Sequence, residues 1–496
     1  MPTAQSIEEF KDRIDLFLLG LRHPVLIEPG KEVTDLSTSR YSLSTEYNKL
    51  LWHVWNEHTN FVRQIVGIQK EKPGRMELRF QKFGKGPPGT LILAESRAEE
   101  GRLERRSQRA RYAQALRQYL GQLFPRWKVQ ELSSEPDLEH SFSGRYTRGL
   151  VSQGQQAWAI IGAGDQEDLS AVEGILTYGL IWLDWLRQKK GNRAIAGLKI
   201  FLPANRAAVT LQRLAWMDPE KAQWEVYETG EEIRRLDPGD GGNLKTALAP
   251  LVVPPLHSPA AQHWAARLQA FSPAIETYRV SNGFLTWAVR GLPFARETPK
   301  GIVFGVGRSE TALDERTFSE LGKLVGQLLR YRRADSEDHQ HPFFRLQPER
   351  WLQSTLASQI VRLGCDLEPE TVLRQVSVIG GTEHGVLDLL AMNSQGRLVI
   401  VELKASEDIH LPLQALDYWM CVHWHQQRGE LERLGYFRGR LMSSQPPLVL
   451  LVSPALQFHS ACATVLRYFS AAVETVRIGL NENWREQLQV IFREPH

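Results

Sequence analysis

The stretch Gly385-Val-Leu-Asp-Leu-Leu-Ala-Met-Asn-Ser-Gln-Gly-Arg-Leu-Val-Ile-Val-Glu-Leu-Lys404 reads as two apolar strands joined by a tight turn. Val386 to Met392 and Arg397 to Leu403 are rich in residues that suit a buried pleated surface, and Asn393-Ser-Gln-Gly396 has turn chemistry. Asp388 interrupts the first run, where an ionised carboxylate is costly unless it is paired or bound to metal. Glu402 and Lys404 lie two apart in the second run, so both point to one face of the sheet. A hairpin brings Asp388 and Glu402 to one end of that sheet. Two carboxylates held close repel each other, and a divalent cation relieves the repulsion. An oxygen-rich site of this kind suits Mg²⁺ or Mn²⁺, which retain waters and take up substrate phosphate. Such an ion orients a water and neutralises charge at phosphorus, and Lys404 adds a positive charge beside the attacking water or the scissile phosphate. The parts needed for phosphodiester hydrolysis are present in the pattern.

Outward from this core, the pattern predicts a helix from about Pro348 to Leu363 and a strand around Leu373 to Ile379. Downstream it predicts a long helix from about Leu411 to Gln427 and a buried strand at Leu448 to Val452. Three strands followed by a helix argue for a mixed sheet with helices packed on it. Ten residues after Lys404 comes Gln414-Ala-Leu-Asp-Tyr418. The combination of a strand Asp, a strand Glu-Leu-Lys after a glycine turn and a helical Gln-x-x-x-Tyr resembles the PD-(D/E)XK nuclease superfamily, in its RecB-like branch. It is also similar to the catalytic domain of NucS-type endonucleases. The resemblance covers about 130 residues, from Pro348 to roughly Leu480. It implies a restriction-endonuclease-like α/β fold and a metal-dependent nuclease, with DNA rather than RNA as the expected substrate. It further implies that Asp388 and Glu402 hold Mg²⁺ or Mn²⁺ together with an acidic residue on the preceding helix. Glu349 is the best match for that residue, with Glu368 and Glu370 as competitors. Lys404 would assist the attacking water, and Gln414 and Tyr418 would position the phosphate backbone or the lysine.

The chain has a weak internal repeat. Residues 159–169, Ala-Ile-Ile-Gly-Ala-Gly-Asp-Gln-Glu-Asp-Leu, align without gaps on residues 399–409, Val-Ile-Val-Glu-Leu-Lys-Ala-Ser-Glu-Asp-Ile. Leu198 to Pro203 resembles Val449 to Pro454, and Phe83 to Arg97 resembles Phe294 to Arg308. The matched pairs keep one order, as two diverged copies would. The expected organisation is an N-terminal β-rich segment (1–100), a degenerate nuclease-like α/β domain (101–236) and a Gly/Pro-rich linker (237–262). A second β-rich segment (263–345) and the nuclease domain (346–496) complete it. In the first copy, Gly162, Gly164 and Gly174 stand where the second has Glu402, Lys404 and Gln414, and Asp388 falls on Arg148 or a neighbour. No carboxylate is left there to bind metal.

The 496 residues carry 60 Lys plus Arg against 57 Asp plus Glu, a net charge of +3, so total charge says little about partners. Between Arg97 and Lys128, however, the basic residues outnumber the acidic ones. Arg102, Arg105, Arg106, Arg109 and Lys128 form a candidate phosphate-gripping surface on the helix that leads the first copy. Three scattered cysteines offer neither a disulfide framework nor a zinc site. With no apolar run long enough to cross a bilayer and no secretory signal, the expectation is a cytoplasmic protein without a membrane partner. Gly84-Lys-Gly86 and Gly305-Val-Gly307 are glycine pairs without a phosphate-binding loop, which leaves nucleotide hydrolysis unsupported. The alternative reading is a catalytically inactive nucleic-acid-binding or regulatory module on the same fold.

Overall fold

Apolar runs of six or seven residues form the central strands. Leu398–Leu403 and Leu448–Pro454 are buried along their whole length, as strands covered on both faces must be. The computed structural model describes the chain except residues 1–3, 22, 29–33, 37–38, 47–48, 56–59, 82–88, 96–97, 138, 190–193, 240–245, 252–258, 280–283, 308–309 and 381–382. It is a mixed α/β protein with four multi-stranded sheets among the described residues, and it divides into two compact units. One unit takes residues 1–105, 257–278 and 285–348; the other takes 106–256, 279–284 and 349–496.

The second unit holds two sheets. In the first, the strands Lys128–Ser133, Tyr146–Gln153, Gln156–Ala163, Ala194–Pro203, Gln223–Thr229 and Arg234–Leu236 are neighbours in that order. Their successive pairings run antiparallel, antiparallel, parallel, parallel, antiparallel. In the second, Leu373–Gly380, Glu383–Met392, Leu398–Leu403, Leu448–Pro454, Thr475–Leu480 and Val490–Pro495 follow the same succession of directions. Each first parallel pair requires a crossover, supplied by the helices Leu169–Lys189 and Leu411–Gln427. The turn before Leu398 closes with Gly396 N–H donating to the Asn393 carbonyl at 2.9 Å, and Gly396 has φ +76°, a conformation glycine adopts without strain.

The second sheet has one extra edge strand. Thr246–Leu248, inside the segment expected to be a linker, pairs antiparallel with Leu373–Gly380. The two sheets share one apolar core, with Ile161, Leu180, Leu183, Leu387, Leu416 and Trp419 all buried in it. Where they meet, Met217 and Phe469 form an antiparallel bridge. Asp218 N–H donates to the Tyr468 carbonyl at 2.8 Å and Ser470 N–H donates to the Trp216 carbonyl at 2.9 Å, so the same bond is made in both directions. The helix Leu169–Lys189 is long and apolar enough to cross a membrane by length and composition alone, a stretch the sequence reading passed over. It is a core helix: 67% of its most apolar window is buried inside the protein.

The first unit holds a seven-stranded sheet from residues 24–95 and a five-stranded sheet from residues 275–312. Met76, Leu78 and Phe80 alternate buried with more exposed neighbours, the pattern of a sheet covered on one face. Ile7, Ile14 and Leu18, on one side of the helix Ala4–Leu19, share a core with them. In the second part, Leu321, Val325 and Leu328 on the helix Phe318–Tyr331 pack with Trp287, Phe294 and Phe304.

Candidate active site

The site forms at one end of the strands Glu383–Met392 and Leu398–Leu403. Their register pairs Leu389 with Val401, so the next step sets Asp388 opposite Glu402 on the same face of the sheet. Asp388 is held by protein donors on both carboxylate oxygens. Leu403 N–H donates to Oδ2 at 3.2 Å, and Gln353 Nε2 donates to Oδ1 at 3.0 Å and to the Asp388 carbonyl at 2.8 Å. Glu402 differs. It is 1% exposed, and its Oε2 is buried without a hydrogen-bond partner among the described residues.

The electrostatics follow from that burial. Loss of water lifts the Asp388 carboxyl to about 7, with Glu349 adding to the rise and the Leu403 amide, Lys404 and Arg350 opposing it. Burial and then the neighbouring Asp388 push Glu402 well above the usual carboxylate range. Burial works against the charge on Lys404, but the surrounding Glu349, Glu402, Asp408 and Asp388 outweigh it and raise the ammonium pKa, so Lys404 is firmly protonated. Its Nζ lies 3.3 Å from Asp408 Oδ2.

Glu349 enters from the first turn of the helix Pro348–Ser358. Burial raises its pKa, Lys404 opposes the rise, and the Ala405 amide donates to its carboxylate. The competing acids are engaged elsewhere: Glu368 and Glu370 both pair with Arg440. On the crossover helix, Gln414 Nε2 donates to the Tyr418 hydroxyl at 3.2 Å. The Tyr418 ring lies over Gly385, where an added Cβ would stand 2.8 Å from a ring carbon, so only glycine admits this approach. Burial, and then Glu402, raise the Tyr418 pKa, so its hydroxyl stays a donor.

Glu349, Asp388, Glu402, Lys404, Gln414 and Tyr418 thus gather at one place. Among the described residues, no group of three His, Cys, Asp or Glu side chains stands close enough to hold a metal ion in this arrangement. The donor set is nevertheless one a hard cation takes, since it consists of carboxylate oxygens, one of them buried and unpartnered. Two residues were missed by the sequence reading. Gln353 lies four residues after Glu349 and so shares its helix face, a signal that was available. Asp408 lies in the loop after Lys404, and the only signal it carries in the sequence is its match to Asp168 in the internal repeat.

In the first sheet the equivalent positions are filled differently. Gly162 pairs with Thr147, so Thr147 stands opposite the glycine as Asp388 stands opposite Glu402. Its hydroxyl is bonded to Ser134 Oγ at 2.7 Å. Tyr112, from the helix Ala98–Leu123, occupies the space above the strand. A Cβ on Gly162 would lie 2.5 Å from its hydroxyl, and one on Gly164 3.3 Å from its ring. Of the basic residues on that helix, Arg109 pairs with Glu167 at 3.2 Å. The side chains of Arg102, Arg105 and Arg106 lie outside the described residues, and Lys128 is exposed at the start of the strand that follows.

Beside Gln414 and Tyr418 opens a cavity of about 330 Å³, lined by Glu173 and Arg213 from the first sheet's helices and by Asp417 and Gly385 from the second half. Arg213 spans the two, donating to both Asp417 oxygens at 2.9 and 2.7 Å. No protein-family model matches the sequence, and no curated protein does.

Proposed function

We propose that the chain is a metal-dependent nuclease that hydrolyses phosphodiester bonds in nucleic acid, with DNA rather than RNA as the expected substrate, at a PD-(D/E)XK-type centre in its C-terminal half. The observation that carries this reading is the buried Glu402 oxygen without a hydrogen-bond partner among the described residues, set beside Asp388 and a protonated Lys404. A buried carboxylate pair of this kind is expensive unless a cation compensates it. Glu349, Asp388 and Glu402 would hold Mg²⁺ or Mn²⁺, which when bound supplies an activated water and neutralises charge at phosphorus. Gln353 and the Leu403 amide fix the direction of Asp388. Lys404 directs its charge at the scissile phosphate, and the Gln414–Tyr418 pair offers a hydroxyl donor to the backbone.

The shared succession of strand pairings, the glycines at 162 and 164 and the reciprocal Met217–Phe469 bridge support a duplication within a restriction-endonuclease-like architecture. On this reading the first half is a catalytically silent copy that frames the site and grips nucleic acid, and the protein works in the cytoplasm. The test is direct. Purified protein with Mg²⁺ or Mn²⁺ is expected to cleave at least one of single-stranded, duplex or branched DNA, and Glu402→Ala and Lys404→Ala to abolish cleavage. Intact substrates throughout, with metal binding unchanged in Glu402→Ala, would overturn the assignment.

A further inference from the structure

The first compact unit contains a second cavity of about 510 Å³, bounded by the strand Lys49–Trp55 and the helices Phe318–Tyr331 and Pro342–Arg345. Its polar lining is Lys49, Lys323, Gln327 and Arg330, with Tyr331 and His341 beside them and no aspartate or glutamate among the described residues that line it. Lys323, Gln327 and Arg330 are spaced i, i+4, i+7, which puts them on one face of their helix. That face is exposed, whereas Leu321, Val325 and Leu328 turn to the core. Neither Lys49 nor Lys323 is in an ion pair with any described residue. Tyr331 and His341 stack with ring centroids 3.6 Å apart and planes within 1°. Burial, helped by nearby Arg330 and opposed by Asp338, lowers His341 to about 4, so its imidazole is neutral at physiological pH.

Three cationic side chains from parts of the chain far apart in sequence therefore line one pocket of small-molecule size. A nucleic acid strand brings one phosphate charge per nucleotide, so matching three cations would require several nucleotides in that space. A compact anion with several charges on adjacent groups fits better. We propose that this cavity binds an oligophosphate, the phosphate chain of a nucleoside di- or triphosphate, on Lys49, Lys323 and Arg330, with the Tyr331–His341 stack as the wall for the nucleoside. The proposal does not depend on the nuclease reading.

The test is calorimetric titration of the full chain in the presence of a chelator, so that the proposed ion site takes no part. The probes are inorganic tripolyphosphate, ATP, adenosine and a short single-stranded oligonucleotide. Tripolyphosphate and ATP should bind with salt-sensitive affinity, ATP more tightly because the stack receives its base; ATP binding no more tightly than tripolyphosphate would overturn the role of the stack. Lys323→Glu combined with Arg330→Glu should weaken both by about tenfold or more. Because these side chains are exposed, the variant should keep the wild-type melting temperature; should it fail to fold, Lys49→Ala gives the same readout. Absence of binding by either phosphate, unchanged affinity in the variants, or oligonucleotide binding that tripolyphosphate does not displace would each overturn the proposal.

Discussion

Gln353 is a buried amide that donates to both the carbonyl and the carboxylate of Asp388, so it fixes a side chain whose own pKa has been pushed to about 7. Replacing it with Ala should leave the fold intact and lower Mn²⁺ affinity or cleavage by about 10–100-fold, the usual effect of losing a group that orients a ligand. Calorimetric metal titration checks this. The raised carboxyl pKa also sets a pH dependence. In the folded chain Asp388 holds its proton to about pH 7, against an ordinary value of 3.8, and Glu402 is raised as well. The folded state then binds more protons than the unfolded one between those values. The stability this contributes is complete below about pH 4 and is lost as the pH rises through about 7. In chelator the melting temperature should fall over that range, added Mg²⁺ or Mn²⁺ should restore it most at the alkaline end, and Glu402→Gln should melt higher than wild type at pH 8. A flat profile would count against the buried carboxylate pair.

At the scale of elements, the hairpin around Asn393–Gly396, the crossover helix Leu411–Gln427, the strand at Leu448 and the start of the helix at Pro348 were readable, because each carries its own local period or turn signal; that helix ends at Ser358, and the expected stretch to Leu363 closes in a separate 3-10 turn at Ile360–Leu363. The two strands that hold Asp388 and Glu402 were readable for the same reason. Thr246–Leu248 was not: three residues in a Gly/Pro-rich segment become a strand only through pairing with Leu373–Gly380, more than a hundred positions on. The i, i+4 spacing from Glu349 put Gln353 on the right helix face, but its partner, Asp388 on a neighbouring strand, is set only by the tertiary fold. The close fit of helix on hairpin makes a separate expectation. Gly385→Ala forces a methyl group against the Tyr418 ring, and overpacking of this kind should cost about 1–3 kcal/mol, measurable by denaturant unfolding. It should also displace the Gln414–Tyr418 pair and reduce cleavage.

Across the whole of the second unit, the halves are joined by a common core, the Met217–Phe469 bridge and the Arg213–Asp417 pair. Arg213 is 8% exposed while the Asp417 side chain keeps 32% exposure, so Arg213→Ala should cost about 2 kcal/mol, below what a fully buried pair would lose. The loss should appear in unfolding of this unit, measured by hydrogen exchange at the Asp218 and Ser470 amides. The weak sequence repeat suggested a correspondence between the two halves, but it could not place them against each other, since the Met217–Phe469 bridge lies outside the aligned segments.

The reciprocal bond at Met217 and Phe469 has the form of the contact two identical subunits make across a two-fold axis. A symmetric pair of that kind would present two cutting centres to one duplex, whereas this chain presents Glu402 on one side and Gly162, covered by Tyr112, on the other. On the proposed nuclease reading, the chain would break one bond per encounter, and on a duplex the nicked form should accumulate ahead of the fully severed one.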